Sequence, residues 1–474
     1  MRAALINPSF SHIYGPYRAA ARVAATPQMP LGITYLAGAL RAAGHEVYIR
    51  DCEVQGYPDP RALVDDIVTL APDIVALTAT TPLFHDANAI LGDMKSRKIE
   101  LLTVLGGVHV SALMERVYEE GCAADVCVFG EGEETLSEIV ATWAAGRPLA
   151  GIPGTLVPAP GGAVYRGPPR APADIDRIPL PARDLLQAHR YVWSVPGRGF
   201  RRVTSLITHR GCPFNCAFCS VSRVFPRDVR FRSVAGVVEE IRHIVEDLGI
   251  RHIMIQDDNL TLNRQRTEAL CRALIERRFD MTFEGYTRAN LVDEELLRLL
   301  QRAGLVRLSF GVESGDPEIL KAIKKGVALD DYRKAYSLCK DMGIETRCSF
   351  MLGHPYETRM TIKKTIEFVN SLDVYQAYIN ISTPYPGSEL FEMALNGVGG
   401  LTLLTEDWEM YRRYGTPVIT VNDLSETDLR RYQRIAYLRF YLRPKTIWYN
   451  LRRAGAKAAL VNAWAFLRSA LQRG

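Results

Sequence analysis

Three of the nine cysteines of this chain lie within eight positions, in the segment Thr-His-Arg-Gly-Cys-Pro-Phe-Asn-Cys-Ala-Phe-Cys-Ser at 208–220. Cys212, Cys216 and Cys219 are spaced C-x3-C-x2-C. Gly211, just before them, and Pro213 and Asn215, between the first two, favour a short loop that can bring three thiolates to one metal centre. Three ligands are one fewer than a structural zinc site needs, and in a four-iron cluster they leave one iron free. The alternatives are a zinc site, for which His209 is too close in sequence to be a comfortable fourth ligand, and three unrelated structural cysteines.

The composition is that of an ordinary globular protein. The chain has 474 residues, 47% of them hydrophobic and 23% charged, which allows two or three domains with sizeable cores. We find no secretory signal pattern and no run near the roughly 18 apolar residues of a membrane-spanning helix, so we expect a cytoplasmic protein. The odd number of cysteines does not indicate a disulfide framework. We predict that the other six are small core residues: Cys52, Cys122, Cys127, Cys271, Cys339 and Cys348.

Apolar runs alternate with helical patterns in the first third of the chain. Strands are predicted at 2–8, 47–50, 74–78, 101–105 and 126–129, and helices at 31–43, 60–71, 84–97 and 111–120. This alternation indicates a doubly wound, Rossmann-like parallel sheet, whose ligand site lies beyond the carboxyl ends of the strands. The residues at those ends are small or polar: 7–9, 78–81, Gly106-Gly107-Val108-His109 and Gly130-Glu131-Gly132-Glu133. Such loops let a large planar ligand approach the backbone closely.

The rest of the chain divides into three parts. Residues 146–195 begin with a Pro- and Gly-rich stretch and are predicted to be a linker, with a small hairpin at 155–165. Strands then alternate with helices again, at 203–207, 250–256, 281–286, 306–312, 345–352 and 376–382. These six βα-like units indicate a parallel barrel at 196–388, with its active site at the carboxyl ends of the strands. Residues 389–474 are predicted to be mainly helical, with helices at 389–395, 405–414 and 425–441.

The basic character of the chain belongs to its tail. Ten Lys or Arg and no Asp or Glu occur from Arg431 to Gly474, whereas the formal net charge of the whole chain is only +5. The tail also carries Trp448, Tyr449, Trp464 and Phe466. A helix of this composition can lie on an anionic membrane surface, and packing on the barrel is an equal alternative. Binding to nucleic acid is not expected, because no recognised module accompanies the charge.

The cysteine spacing, with an aromatic residue just before the last cysteine, resembles the cluster loop of the radical S-adenosylmethionine (SAM) superfamily. The resemblance implies a partial (β/α)6 barrel and a 4Fe-4S cluster held by Cys212, Cys216 and Cys219, whose open iron binds SAM. It also implies formation of a 5'-deoxyadenosyl radical and an external electron donor such as flavodoxin or ferredoxin. By the same resemblance, Asp257 and Asp258 lie where the family binds the SAM amine. Arg288, Glu313 and Ser314 are expected to hold the SAM carboxylate and ribose; the alternative for each is an ion pair or a capping role. We also considered His354 and Tyr385 as residues that face the substrate.

The first domain, at 1–145, resembles the cobalamin-binding domain of the cobalamin-dependent radical SAM family, in which Gly-Gly-x-His and Gly-Glu-Gly-Glu segments recur at these strand ends. The resemblance implies that Gly106, Gly107, His109 and the segment Gly130-Glu131-Gly132 contact cobalamin. Typical cobalamin-binding domains carry Asp-x-His-x-x-Gly after the first strand, with the His bound to cobalt in place of the nucleotide base. This chain has Phe in place of that Asp, and therefore lacks a carboxylate to orient His12. His12 is accordingly a weak candidate for a cobalt ligand.

The resulting expectation is a cobalamin-dependent radical SAM enzyme that methylates an unactivated carbon of a small-molecule or lipid substrate, such as a hopanoid. One alternative is a radical oxidative cyclase of the kind that closes a chlorophyll ring anaerobically. A methylthiotransferase of tRNA or protein is a poorer one, because that family carries three further cysteines in a convergent pattern. A cobalamin-binding or light-sensing regulator without catalysis is also poor, because the cysteine triad is complete.

Overall fold

The computed structural model describes residues 1–11, 28–57, 59–97, 100–225, 227–412, 415–449 and 451. Two seven-stranded sheets form its framework. The first consists of β1 (Arg2–Asn7), β2 (Glu46–Asp51), β3 (Ile74–Thr78), β4 (Leu102–Gly106), β5 (Val126–Val128), β6 (Thr155–Pro158) and β7 (Val164–Arg166). Its order is β2-β1-β3-β4-β5-β6-β7, and β1 to β5 are parallel. The chain therefore switches direction between β1 and β3, where doubly wound sheets bind their ligands.

Both faces of the first sheet are covered by helices. These are α1 (Leu31–Ala42), α2 (Cys52–Gln55), α3 (Pro60–Thr69), α4 (Phe84–Ser96), α5 (Val108–Leu113), α6 (Arg116–Glu119) and α7 (Glu133–Ala144). Alternate residues of each strand are buried on opposite faces: Leu5 packs in the core that includes α1 and α7, and Ile6 in the core that includes α3 and α4. The helix predicted at 111–120 is two short helices, because Met114 between them adopts a left-handed conformation (φ +55°).

The second sheet forms the partial barrel. Its strands are β8 (Val192–Val195), β9 (Gly199–Leu206), β12 (His252–Ile255), β13 (Thr282–Thr287), β14 (Leu305–Glu313), β15 (Glu345–Leu352) and β16 (Gln376–Ile381). Between β9 and β12 along the chain, β10 (His209–Arg210) and β11 (Arg230–Phe231) form a separate small ribbon. The order is β16-β15-β14-β13-β12-β9-β8, with six parallel strands and β8 antiparallel at the edge. The helices that follow are α8 (Val234–Arg242), α9 (Arg264–Arg277), α10 (Glu294–Arg302), α11 (Pro317–Ala322), α12 (Leu329–Asp341) and α13 (Arg359–Ser371). The predicted doubly wound domain and partial barrel are thus confirmed.

The amino end of the barrel is filled by charged side chains. Glu284 on β13 accepts hydrogen bonds from Arg307 on β14 (2.5 Å) and from Arg347 on β15 (3.0 Å), and all three residues are buried. Arg307 also donates to the carbonyl oxygen of Ser194 on β8 (3.0 Å), and the Arg347 guanidinium lies 5.0 Å from the ring centroid of Trp193. The antiparallel strand and this ionic layer together close the floor of the barrel.

The C-terminal region covers the last barrel strand. It contains α14 (Glu389–Leu395), the hairpin of β17 (Leu401–Leu403) and β18 (Ile419–Val421), and α15 (Glu426–Tyr441). Side chains of α15 bind the backbone edge of β16: Gln433 donates to the Ile379 carbonyl oxygen (2.8 Å), and Tyr441 to that of Ala377 (3.0 Å). This protects an edge that would otherwise present unpaired polar groups.

The helix predicted at 405–414 is wrong. Within the described residues of that segment the only helical turn is a 3₁₀ turn at Trp408–Met410, between the two hairpin strands. The Trp408 ring is buried against the first domain, and this contact outweighs a weak local preference for helix. None of the described helices is long and apolar enough to cross a membrane.

Candidate functional site

The cysteine loop starts at the carboxyl end of β9, the first parallel strand of the barrel. Cys212, Cys216 and Cys219 are all free thiols with partly buried side chains. The loop is fixed at its centre by backbone hydrogen bonds of Ala217, which donates to the Ile323 carbonyl oxygen (3.0 Å) and accepts from Leu390 N–H (2.7 Å). The loop is therefore anchored both to the barrel and to the C-terminal region.

Asp257, at the end of β12, holds the start of this loop. Its buried carboxylate accepts hydrogen bonds from the Thr208 N–H and hydroxyl (both 2.6 Å), and the His209 ring nitrogen Nδ1 lies 3.2 Å away. Burial raises the pKa of Asp257, but the hydrogen bonds from His209 and Thr208 outweigh it and lower the pKa overall. The carboxylate that we expected to contact SAM is thus occupied by the segment that leads into the cysteines.

Two side chains from neighbouring strand ends donate hydrogen bonds to the thiols. Asn259 Nδ2 lies 3.4 Å from the Cys212 sulfur, and Arg288 Nη1 lies 3.7 Å from the Cys216 sulfur. Burial raises the pKa of Cys212, and that of Cys219 to about 11. Hydrogen-bond donors aimed at sulfur stabilise thiolates and the clusters they bind. Among the described residues, no group of three His, Cys, Asp or Glu side chains is placed to hold a single metal ion.

Two further charged side chains near the cysteine loop, Asp258 and Arg288, differ in how many contacts they make within the protein. Asp258 is exposed, and desolvation by its surroundings raises its pKa. The Arg288 guanidinium packs 3.8 Å from the ring centroid of Phe214 and donates to the carbonyl oxygens of Lys325 and Gly326. Its Nε is buried without a hydrogen-bond partner in the described part of the chain. Asp258 is therefore an exposed charged group beside the loop, and the Arg288 Nε is a buried donor that is left without a partner among the described residues.

Glu313 forms a buried ion pair with Lys325, whose Nζ lies 3.0 Å from Glu313 Oε1. The residue sits at an irregularity of β14 with a left-handed backbone (φ +65°). A Cβ at Gly311 would lie 2.2 Å from the same carboxylate oxygen and 2.9 Å from Nζ. Glycine at 311 is therefore what leaves room for this pair.

Ser314 and two further polar side chains are engaged within the protein. Ser314 Oγ is 3.1 Å from Thr365 Oγ1 and accepts from Asp316 N–H (3.2 Å). His354 is buried with Nε2 3.4 Å from the Glu313 carbonyl oxygen, and burial lowers its pKa to about 4. The Tyr385 hydroxyl donates to a backbone carbonyl oxygen of the C-terminal region (3.2 Å). These contacts correspond to the capping alternative for Ser314 and to packing for the others.

The glycine-rich strand ends of the first sheet lie together at its carboxyl edge. The Ser111 hydroxyl connects two of them, because it donates to the Gly107 carbonyl oxygen (2.9 Å) and accepts from Gly130 N–H (3.0 Å). Gly107 has φ +113°, and a Cβ there would lie 2.5 Å from the Ala79 carbonyl oxygen. At Gly130 no described atom lies within 4 Å of a Cβ position, whereas at Gly132 the Leu36 side chain is 3.0 Å away. Along this glycine edge, the space beside Gly130 is thus free of described atoms, whereas the space beside Gly107 is filled by the Ala79 backbone.

Glu131 and Glu133 bind arginines beside the cysteine loop. Arg210, two residues before Cys212, donates to Glu131 (3.0 Å) and to Glu133 (2.5 Å), and Arg230 on β11 also binds Glu131. The side chains of Arg210, Glu131 and Glu133 are at most 10% exposed. We call these four residues the bridging cluster, because they join a loop of the first sheet to the cysteine loop.

His109 is enclosed rather than open to a ligand. Its ring lies 4.5 Å from that of Phe84 and 5.5 Å from that of Trp408, and neither ring nitrogen has a hydrogen-bond partner within the described ranges. Burial lowers the pKa of His109 to about 3. Trp408 in turn donates to Glu120 (2.6 Å). The Gly-Gly-x-His segment therefore also anchors the C-terminal region. His12 lies outside the described residues.

Several residues of this site were missed by reasoning from the sequence. Arg210, Ser111, Lys325 and Trp408 each make a contact described above. The signals present were weak: a basic residue directly before the cysteine motif, and two acidic residues in a glycine-rich loop. Nothing in the sequence alone pairs the two.

Comparisons with known proteins agree with this arrangement. The model of the radical SAM superfamily matches residues 206–369, and that of the B12 binding domain matches residues 17–140. An uncharacterized methyltransferase of Pyrococcus horikoshii is 35% identical over 90% of this chain and 90% of its own length. An anaerobic magnesium-protoporphyrin IX monomethyl ester cyclase of Rubrivivax gelatinosus is 30% identical over 94% of this chain and 80% of its own length. The structure of the radical SAM methyltransferase TsrM from Kitasatospora setae, with cobalamin and a [4Fe-4S] cluster bound, has the same fold, with TM-score 0.74 and 18% identity over 99% of both chains.

The loop with three free thiols follows the first strand of a partial parallel barrel, and the barrel is joined to a doubly wound domain with a glycine-lined edge. These features define a radical SAM enzyme with a second cofactor domain. The chain belongs to the cobalamin-dependent radical SAM family. Its cofactors are accordingly a 4Fe-4S cluster, SAM and cobalamin. The residues present fit these groups: donors face two of the thiols, and no described atom lies within 4 Å of a Cβ position at Gly130.

Proposed function

We propose that this enzyme methylates an unactivated carbon of a small-molecule or lipid substrate. The observation that carries the proposal is that Arg210, beside the cysteine loop, binds Glu131 and Glu133 in the loop that starts at Gly130. When bound, the cluster and SAM supply a 5'-deoxyadenosyl radical that removes a hydrogen atom from carbon, and cobalamin supplies the methyl group. The similarity to a methyltransferase over 90% of both chains supports the same assignment.

The cysteine side of the site has the following proposed roles. Cys212, Cys216 and Cys219 hold the cluster, and the donors on Asn259 and Arg288 stabilise the first two thiolates. Asp258 is exposed beside the loop and suits the cationic amine of SAM.

The other SAM contacts are proposed from the same resemblance with narrower roles. The buried Nε of Arg288 is the group left for the SAM carboxylate. Asp257 and Ser314 act by holding the loops around them, because their polar atoms are engaged within the protein. Glu313 would reach a ribose hydroxyl only with the oxygen that Lys325 does not bind.

On the first sheet, we propose that the backbone at Gly106, Gly107, Gly130 and Gly132 lines the cobalamin site. Glu131 supports that loop through its arginine partners, and His109 supports it through packing. The boundaries 1–145, 146–195, 196–388 and 389–474 remain our proposed division of the chain.

Methyl-labelled SAM tests the reaction. Label in a product, together with 5'-deoxyadenosine, is the expected result. Accumulation of 5'-deoxyadenosine without label in any product would exclude methylation.

The Cys216→Ala variant tests the cluster assignment separately. We expect it to lose SAM cleavage and iron while keeping its affinity for cobalamin, because the glycine edge lies on the other sheet. SAM cleavage at the wild-type rate would contradict the assignment of the ligands.

A radical oxidative cyclisation is the second candidate. The cyclase of Rubrivivax gelatinosus is 30% identical over 94% of this chain, which is close to the similarity of the methyltransferase. Here the radical would start ring closure without transfer of a methyl group. The labelling experiment separates the two, since a cyclase yields an unlabelled product with altered mass.

The methylthiotransferase alternative is tested by metal content. Such an enzyme would carry a second cluster, so reconstituted protein would bind about eight irons and no cobalt, instead of about four irons with cobalt. Among the six cysteines outside the loop, the sulfurs of Cys122 and Cys127 lie 3.6 Å apart.

We also propose an external one-electron donor and peripheral contact of the tail with membranes. Large apolar side chains are exposed where the described tail begins: Leu442, Ile447, Trp448 and Leu451. Ten basic residues and no acidic ones from 431 onward would favour an anionic surface. Flotation with anionic liposomes should therefore depend on residues 444–474, and equal flotation of the truncated chain would contradict this proposal.

A further inference from the structure

The bridging cluster joins the two loops that are expected to hold different cofactors. Arg210 lies two residues before Cys212, and Glu131 lies between Gly130 and Gly132 of the first sheet. The two residues are 79 positions apart in sequence, and Arg210 Nη1 lies 3.0 Å from Glu131 Oε2. A second nitrogen of the same guanidinium lies 2.5 Å from Glu133 Oε1. One arginine therefore binds both acidic residues of the glycine loop.

The ribbon next to the cysteines requires these carboxylates. β10 and β11 pair antiparallel, with Arg210 directly opposite Arg230. Like charges directly opposite each other destabilise a strand pair. Glu131 lies between the two and binds both guanidinium groups. The small ribbon is therefore electrostatically complete only when the glycine loop of the first sheet is in place.

The surroundings of Arg210 restrict it further. Its guanidinium lies 5.3 Å from the ring centroid of Tyr35 on α1 and 5.6 Å from that of Phe225, beyond the cysteines. The Arg210 side chain is 5% exposed. In such a site a bidentate arginine is fixed in orientation as well as in charge, and lysine cannot reproduce the contacts.

We propose that Arg210 is a positioning residue that holds the Gly130–Glu133 loop and the cysteine loop as one unit. The identity of the two cofactors involved rests on the proposed function, but the link between the loops does not. Removal of the guanidinium should free both loops together, since each depends on the other for its counter-charges. A role confined to the ribbon would free the cysteine loop alone.

Hydrogen exchange on the chain without cofactors tests the link directly. In Arg210→Gln we expect the amides of 130–133 and of 211–219 to exchange at least tenfold faster than in the wild type. Arg210→Lys should give an intermediate increase, because it keeps the charge but reaches only one carboxylate. Faster exchange in the cysteine loop alone, or in neither loop, would overturn the proposal.

Arg307→Gln is the matched control for loss of a buried arginine. Arg307 also binds two carboxylates, Glu284 and Glu345, but at the floor of the barrel. We expect exchange in both loops to stay within twofold of the wild type in this variant. Equal acceleration in Arg210→Gln and Arg307→Gln would mean that general destabilisation is responsible, and would overturn the proposal.

Binding of hydroxocobalamin to the full chain that carries its reconstituted cluster but no cobalamin gives the second measurement. We expect the affinity to fall about tenfold in Arg210→Gln and to remain unchanged in Arg307→Gln. A wild-type chain that binds neither cobalamin nor iron would refute the proposed function. The hydrogen-exchange result would still test whether Arg210 holds the two loops together. If Arg210→Gln does not fold, Glu133→Gln replaces it, because Arg210 then still binds Glu131. We expect the amides of both loops to exchange threefold faster in this variant. Exchange at the wild-type rate would overturn the proposal.

Discussion

Replacement of Asp257 by Asn should destabilise the chain although the side chain keeps its size. The carboxylate accepts two hydrogen bonds of 2.6 Å from Thr208 and faces the ring of His209 at 3.2 Å, all within the buried interior. Asn keeps one acceptor oxygen and directs an amide donor at groups that are themselves donors. At least one buried donor then lacks a partner, which costs about 1–3 kcal/mol, and the charge assistance of the other bonds is lost. We expect a loss of about 3 kcal/mol in the free energy of unfolding at pH 7.

The neighbouring Asp258 provides the matched control. It is exposed, so Asp258→Asn should change the free energy of unfolding by less than about 0.5 kcal/mol. Guanidinium chloride unfolding followed by tryptophan fluorescence compares the two variants with the wild type. Similar losses in both variants, or a loss under about 0.5 kcal/mol for Asp257→Asn, would refute the reasoning.

The pH dependence gives a second check on Asp257. Its pKa in the folded chain is below the ordinary value of 3.8. A carboxyl group with a lowered pKa contributes its stability above the ordinary pKa and loses it as the pH falls through the folded value. The difference between wild type and Asp257→Asn should therefore be constant from pH 7 to about 5 and shrink below pH 3.8.

Three further variants test other parts of the framework. Gly311→Ala should separate the buried pair of Glu313 and Lys325, because its Cβ would lie 2.2 Å from a Glu313 carboxylate oxygen, and we expect a lower unfolding midpoint. Gly92→Ala is the control: it lies in a helix with no described atom within 4 Å of the Cβ position, and should be neutral or slightly stabilising. Trp408→Ala should lower the free energy of unfolding by about 3–5 kcal/mol, because Trp408 is 2% exposed. Trp143 is 36% exposed, so Trp143→Ala should lower it much less. Equal losses of stability in urea titrations would contradict the anchoring role of Trp408. Glu284→Gln should cost about 3–5 kcal/mol at pH 7. Burial raises the pKa of Glu284, but a histidine and two arginines outweigh it and lower the pKa to about 2. The loss of stability in Glu284→Gln should therefore diminish as the pH falls from 4.5 to 2. A loss that does not depend on pH would contradict a charged Glu284 in the folded chain.

Periodicity and spacing predicted the framework because both are local properties. The cysteine spacing located the loop, and the alternation of apolar runs located both sheets, including the strand ends where the site lies. Errors arose where a distant contact decided the local structure. The segment 405–414 was predicted to be helical, but Trp408 is buried against the first domain and the segment lies between hairpin strands.

The roles of charged residues could not be predicted to the same degree. Glu131 was expected at a cofactor and binds arginines, and Asp257 was expected at SAM and binds the segment that leads into the cysteines. In both cases the partner is tens of residues away, and only the packing of the two sheets brings the charges together. Within the segment 146–195, which we predict to be a linker, strands β6 and β7 extend the first sheet and β8 joins the second.

The closed floor of the barrel has a consequence for the order in which molecules exchange. Arg307 is fully buried there and bonded to β8, so in the described part of the chain protein side chains fill this end, and we expect molecules to enter from the carboxyl end of the strands. A molecule seated deeper in the barrel can leave only after the one above it has left. We therefore expect compulsory-order kinetics, in which the last molecule to enter is the first to be released.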